Sequence, residues 1–197
     1  MSKRLICSGC ERPLKTCLCD DLVELSCNYQ LIILQDPKEV KHALSSAPLL
    51  ARSIIGAKLI VGEQFDPETI LGKNWKDESV LVFPTDNSLT ASKASTLDFK
   101  HLILLDGTWR KVARLLHLNP WLAEIPSLAI EANNNSEYTI RKSPREDGLS
   151  TIEAAVQVLN GLHGKKDFTP ILAAFHKMIQ LQINAMGKGT FNKNYSR

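Results

Sequence analysis

The sequence predicts an α/β domain: a mostly parallel sheet with flanking helices, preceded by a small cysteine-rich module. Three observations carry this. Short apolar runs recur along the chain without in–out alternation, the mark of strands covered on both faces. Segments with apolar residues at helical spacing lie among and after those runs. All five cysteines fall before residue 28, and the rest of the chain has none.

Residues 29–34, 57–61, 79–83 and 101–105 read as strands, the third stopped by Pro84, and 128–130 as a short fifth. A helix is expected over 40–55 despite Pro48 in its middle. Residues 109–118 place Val112, Leu115 and Leu116 on one side and Arg110, Lys111 and Arg114 on the other. Ser150 and Glu153 have the spacing of a capping box opening a helix to about residue 162. A long helix is expected over 168–186. Residues 131–148 are polar and read as a loop, long enough to suggest a functional role. The expected organisation is a module over 1–27, a catalytic domain over 28–186 and a basic flexible tail over 187–197.

The chain has 197 residues with 44% hydrophobic content, too apolar for disorder as its main state. Lys and Arg number 24 against 21 Asp and Glu, and a net charge of +3 excludes a polycation of the histone kind. No secretory signal or bilayer-length apolar run is visible, so a cytoplasmic protein without membrane association is expected. Thiols stay reduced there, which favours metal over disulfide chemistry. Cys7, Cys10, Cys17 and Cys19 are spaced C-x2-C-x6-C-x-C, with Gly9 easing the first turn. Four thiolates suit a closed structural zinc site, with an iron–sulfur cluster or no metal as alternatives. A redox pair should instead follow a strand and open a helix. Cys27 reads as a small buried hydrophobe.

Phosphate-loop, glycine-rich dinucleotide and G-x-S-x-G signatures are absent, which counts against a triphosphatase, a conventional Rossmann enzyme and a serine hydrolase. Asp106-Gly107-Thr108-Trp109 stands out because it follows an apolar strand and opens a helix, where α/β folds bind ligands. A carboxylate there can act as a base, and Trp109 offers a flat apolar wall. The alternative is a helix cap and a core tryptophan. Arg141, Lys142 and Arg145 precede the helix that Ser150 opens, a setting suited to an anion. Gln35-Asp36-Pro37 and Pro84-Thr85-Asp86 end two other strands in polar, turn-prone residues.

Together these residues resemble the DTW-domain family. Its N-terminal pattern is matched by Cys7-Ser8-Gly9-Cys10-Glu11-Arg12-Pro13 with Cys17-Leu18-Cys19, and its signature by Asp106-Gly107-Thr108-Trp109. Its third block is matched by Tyr138, Arg141, Lys142 and Pro144, then Leu149 through Ala154. The chain departs at Gln35-Asp36-Pro37, where many members have His before the proline, and at Ser45-Ser46, where Asn-Thr is common. The resemblance implies a bacterial-type tRNA-uridine aminocarboxypropyltransferase with a SPOUT-like knotted C-terminal cofactor site. Such an enzyme moves the 3-amino-3-carboxypropyl group of S-adenosylmethionine to uridine N3. The products are acp3U, expected in the variable loop, and 5′-methylthioadenosine.

On that reading Asp106 is the catalytic residue, orienting or deprotonating uridine N3. Thr85, Leu105, Gly107, Thr108, Trp109, Arg141, Lys142, Ser150 and Thr151 would hold the cofactor, with Trp109 burying the methyl side of the sulfonium. Arg110, Lys111, Arg114 and Arg145 would contact tRNA, joined by Lys188, Lys193 and Arg197 of the tail and by Lys3, Arg4, Arg12 and Lys15 of the module. Cys7, Cys10, Cys17 and Cys19 would hold zinc, and no obligate protein partner is expected. The competing readings are a SPOUT-like RNA methyltransferase, an rRNA-modifying relative and a non-catalytic zinc-containing RNA-binding module.

Overall fold

The computed structural model describes residues 5–130, 149–165 and 167–187. Its elements run β1 (Gln30–Gln35), α1 (Ala47–Ser53), β2 (Lys58–Val61), α2 (Pro67–Leu71), α3 (Trp75–Glu78), β3 (Ser79–Val82) and α4 (Ala91–Ala94). There follow β4 (His101–Asp106), α5 (Trp109–Leu118), β5 (Ser127–Leu128), α6 (Thr151–His163) and α7 (Leu172–Met186). The five strands form one sheet in the order β2-β1-β4-β3-β5, and every pairing is parallel.

Helices cover both faces, which explains the unbroken apolar runs. Leu31, Ile33, Val80, Val82, Leu102 and Leu104 point to the face buried under α1, α6 and α7. Ile32, Leu34, Leu81 and Ile103 point the other way, against Leu71 of α2, Trp75 of α3, Leu115 of α5 and Trp121. Successive strand residues thus feed opposite cores.

Four features depart from the sequence expectation. The helix expected over 40–55 shrinks to Ala47–Ser53 because Pro48 is tolerated only in a first turn, and residues 37–41 become turns. Short helices α2 and α3 appear between β2 and β3, and α4 between β3 and β4. Parallel strands cannot be joined by hairpins, so some crossover must occupy those stretches. The fifth strand is Ser127–Leu128 rather than 128–130. The last expected helix begins as a short turn at Thr169–Ile171 with Pro170 in it, then becomes α7. The expected capping box is present: the Glu153 amide donates to Ser150 Oγ (3.4 Å) and the Ser150 amide to the Glu153 carboxylate (2.8 Å).

The N-terminal segment is stitched to this domain. Leu18 is fully buried in the α1/α6/α7 core. The Leu25 amide donates to the Ser53 carbonyl and the Ile55 amide to the Leu25 carbonyl. The Arg12 guanidinium donates to the Ala43 carbonyl (3.2 Å), and Arg52 of α1 pairs with Glu11 (2.7 Å). Among the described residues no helix is long and apolar enough to cross a membrane.

Strand order also locates the place for a ligand. From β1 the chain moves outward to β2 at one edge, whereas from β4 it moves toward β5 at the other. The carboxyl ends of β1 and β4 therefore flank the point where the winding reverses, the usual crevice in open α/β sheets.

Candidate active site and cysteine cluster

Asp106 ends β4 and lies in register with Gln35, which ends β1. Both are buried. Gln35 Nε2 donates to Asp106 Oδ2 (2.7 Å), and Thr151 Oγ1, from the first turn of α6, donates to Asp106 Oδ1 (2.5 Å). Both carboxylate oxygens thus accept bonds, which holds the side chain in one orientation. The second Nε2 hydrogen of Gln35 reaches Ser45 Oγ (3.1 Å). Ser46 Oγ accepts from the Ile152 amide (3.4 Å), so the segment after β1 is fastened to the strand end and to α6. Asp36 is buried too, its Oδ1 accepting from the Lys38 amide (2.8 Å) in a local turn.

Trp109, on the rim, is not core: it is 37% exposed, with its ring 6.4 Å from that of Phe83. Thr108 caps α5 in position but makes no side-chain cap bond. Leu105 is half-buried at the same strand end. Gly107 sits close against α5: a Cβ there would lie 3.0 Å from Lys111 Cβ, tighter than ordinary contact. Thr85 lies beyond β3, where its Oγ1 bonds Ser88 Oγ (3.0 Å) and Ser127 Oγ (2.6 Å). The Ser150 hydroxyl is buried and engaged with Glu153 (2.6 Å), so it supports α6 from inside.

The strand-end residues and Thr151 are thus brought together. Gln35 and Ser45 complete the cluster, and neither stood among the candidate site residues. The available signal was a glutamine closing an otherwise apolar strand. Of the cations on α5, Lys111 donates to Glu39 (2.7 Å) in a largely enclosed pair and Arg114 to Glu63 (2.8 Å) in an exposed one. Arg110 is exposed. Arg141, Lys142 and Arg145 lie outside the described residues, as do Tyr138, Pro144, Lys3, Arg4 and the tail cations.

The four cysteines converge as their spacing suggested. Their Sγ atoms all lie within 4.8 Å of one another, with Cys7–Cys19 and Cys7–Cys17 at 3.5 Å and Cys10–Cys17 at 3.7 Å. A tetrahedral zinc with bonds of about 2.3 Å places its sulfurs about 3.8 Å apart, so the set fits a metal ion of that size. None of the five cysteines is in a disulfide. Gly9 makes room for the cluster, because a Cβ there would sit 2.9 Å from Cys19 Sγ. Backbone amides of Cys10 and Gly9 pull the Cys7 thiol down to about 6. Its neighbours Cys7 and Cys17 push Cys19 up to about 12. Cys10 is lowered as well, against its burial, by the amides of Leu18 and Arg12, whereas Cys17 is raised; the first pair thus ionises more readily than the second, and a bound cation would release the protons that remain. Cys27 is half-buried, and burial raises its thiol.

A family model described as the DTW domain matches residues 4–183. A Drosophila melanogaster protein named tRNA-uridine aminocarboxypropyltransferase 2 is 28% identical over 196 residues, covering 93% of this chain and 77% of its own. The Mus musculus protein of that name is 29% identical over 168 residues, 80% of this chain, which in turn spans only 56% of its length. An Arabidopsis thaliana protein named tRNA-uridine aminocarboxypropyltransferase A is 23% identical over 215 residues, 91% of this chain and 81% of its own. No solved structure matches the chain.

Proposed function

The chain belongs to the DTW-domain family, and from that premise we propose that it is a tRNA-uridine aminocarboxypropyltransferase. It transfers the 3-amino-3-carboxypropyl group of S-adenosylmethionine to N3 of a tRNA uridine, forming acp3U. The new bond joins N3 to the γ-carbon of the transferred group. The bond from that carbon to sulfur breaks, and sulfur leaves with its electron pair as neutral 5′-methylthioadenosine. The proton on N3 passes to a base, and Asp106 takes that role. The observation that carries the reading is a buried carboxylate, held at both oxygens by Gln35 and Thr151, at the winding reversal of the sheet.

Leu105, Gly107, Thr108 and Thr151 border that carboxylate and would hold the donor, with Trp109 covering the methyl side of its sulfonium. Thr85 and Ser150 belong to the same proposed wall, Ser150 through the helix it caps. Arg141 and Lys142 would supply cations for the donor carboxylate, and Arg110, Lys111, Arg114 and Arg145 for tRNA phosphates. Cys7, Cys10, Cys17 and Cys19 would hold zinc as a structural ion. The division at residue 27, the tail from 187, a SPOUT-like knotted cofactor site, the variable-loop position and a cytoplasmic location belong to the same proposal. The test is incubation with S-adenosylmethionine and unmodified tRNA, followed by nucleoside mass spectrometry. Appearance of acp3U with methylthioadenosine supports the proposal. Methyluridine with S-adenosylhomocysteine, or no change in the RNA, would overturn it.

A further inference from the structure

The reading above uses Gln35 only as a fixed contact of Asp106, yet its side chain is buried at the centre of the site. Burying an amide is costly unless its polar atoms are paired. Here Nε2 spends one hydrogen on Asp106 Oδ2 (2.7 Å) and the other on Ser45 Oγ (3.1 Å). A carboxylate oxygen that close admits only the NH2 end of the amide, so the orientation is fixed by chemistry. An amide gives up no proton at ordinary pH. What it brings to Asp106 is a permanent neutral donor, which favours the ionised carboxylate and restrains its rotation. The backbone makes the contact inevitable, because Gln35 and Asp106 are register partners on adjacent strands. Ser45 in turn fixes the amide from the segment after β1.

We propose that Gln35 is a positioning residue of the transfer reaction, aiming the Asp106 carboxylate and keeping it ionised to lower pH than it would otherwise be. This rests on the assignment of Asp106 as the base, so the experiment separates the two. Two variants are needed, Gln35→Leu and Gln35→Glu, the second nearly the same size and usable where the first fails to fold. The Asp106 carboxyl carbon is titrated by NMR in aspartate-labelled protein, with D106N assigning the signal. The pH dependence of kcat for acp3U formation is measured alongside.

Losing one hydrogen bond to a charged acceptor should raise the Asp106 midpoint in Gln35→Leu by about one pH unit or more. The acid limb of kcat should move up with it, and kcat at the optimum should fall about tenfold. In Gln35→Glu two carboxyl groups share the site, and the apparent midpoint of the pair should rise further. A carboxyl titration unmoved in both variants overturns the proposal at Gln35. A shifted titration with an unmoved acid limb overturns it at Asp106 instead, and near-normal turnover in D106N would mark that second failure.

Discussion

Replacing Asp106 by Asn keeps the shape of the side chain and removes both its charge and its capacity to take a proton. If Asp106 accepts the N3 proton, transfer should fall at least about a hundredfold, within the range a general base contributes. Binding of S-adenosylmethionine, followed by calorimetry, should change little. Thr151→Val tests the other oxygen: it deletes the 2.5 Å bond to Oδ1 while preserving a β-branched side chain. A bond to a charged acceptor contributes about 1.5–3 kcal/mol, so turnover should drop tenfold or more with the fold intact, as judged by circular dichroism. Asp106 and Trp109 could be picked out from the sequence because a carboxylate and an aromatic flank a strand-to-helix turn. Gln35 stood out only as part of a polar strand end, because its bond to Asp106 follows from the register of β1 and β4, which the sequence does not display.

Elements hold these residues in place, and their failure should be graded rather than absolute. The capping box at Ser150 and Glu153 fixes the first turn of α6, from which Thr151 reaches Asp106. Ser150→Ala should cost about 1 kcal/mol. For a domain of this size the melting temperature should fall by about 2–4 °C, measurable by calorimetry. At the amino end of β4, His101 is buried with its ring beside Ser79 Oγ (3.3 Å), and burial lowers its pKa. Below its ordinary value of 6.5 the unfolded chain binds a proton that the folded ring resists, so stability falls as pH falls through that value. His101→Gln removes this penalty. Its melting temperature should therefore drop less than the parent's between pH 7 and pH 5. The strands were readable in the sequence because burial on both faces leaves unbroken apolar runs. Helices α2, α3 and α4 were not, since four or five residues are too few to display a helical period. Strand order could not be read either, because pairing joins distant segments, and the crevice between β1 and β4 exists only once that order is set.

Across the whole molecule, the cysteine cluster and the sheet form one structure joined by Leu18 and Arg12. Arg12 reaches the Ala43 carbonyl, two residues before the Ser45 that holds Gln35. Chelation should thus lower the melting temperature of the whole domain rather than release a separate module, and mass spectrometry under native conditions should count one zinc per chain. Contact with tRNA is a second property of the whole surface. A net charge of +3 is small, so binding must come from a few placed cations rather than from overall charge. Lys111 is engaged by Glu39, whereas Arg110 is exposed on the same helix. Each phosphate contact releases about one counterion, which sets the slope of log affinity against log salt. Arg110→Ala should weaken tRNA binding and reduce that slope by about one. Lys111→Ala should reduce the slope by less, because Lys111 is shared with Glu39, and should lower thermal stability by leaving that carboxylate enclosed without its partner. Equal slopes for the two variants would mean that α5 does not face the RNA in this way.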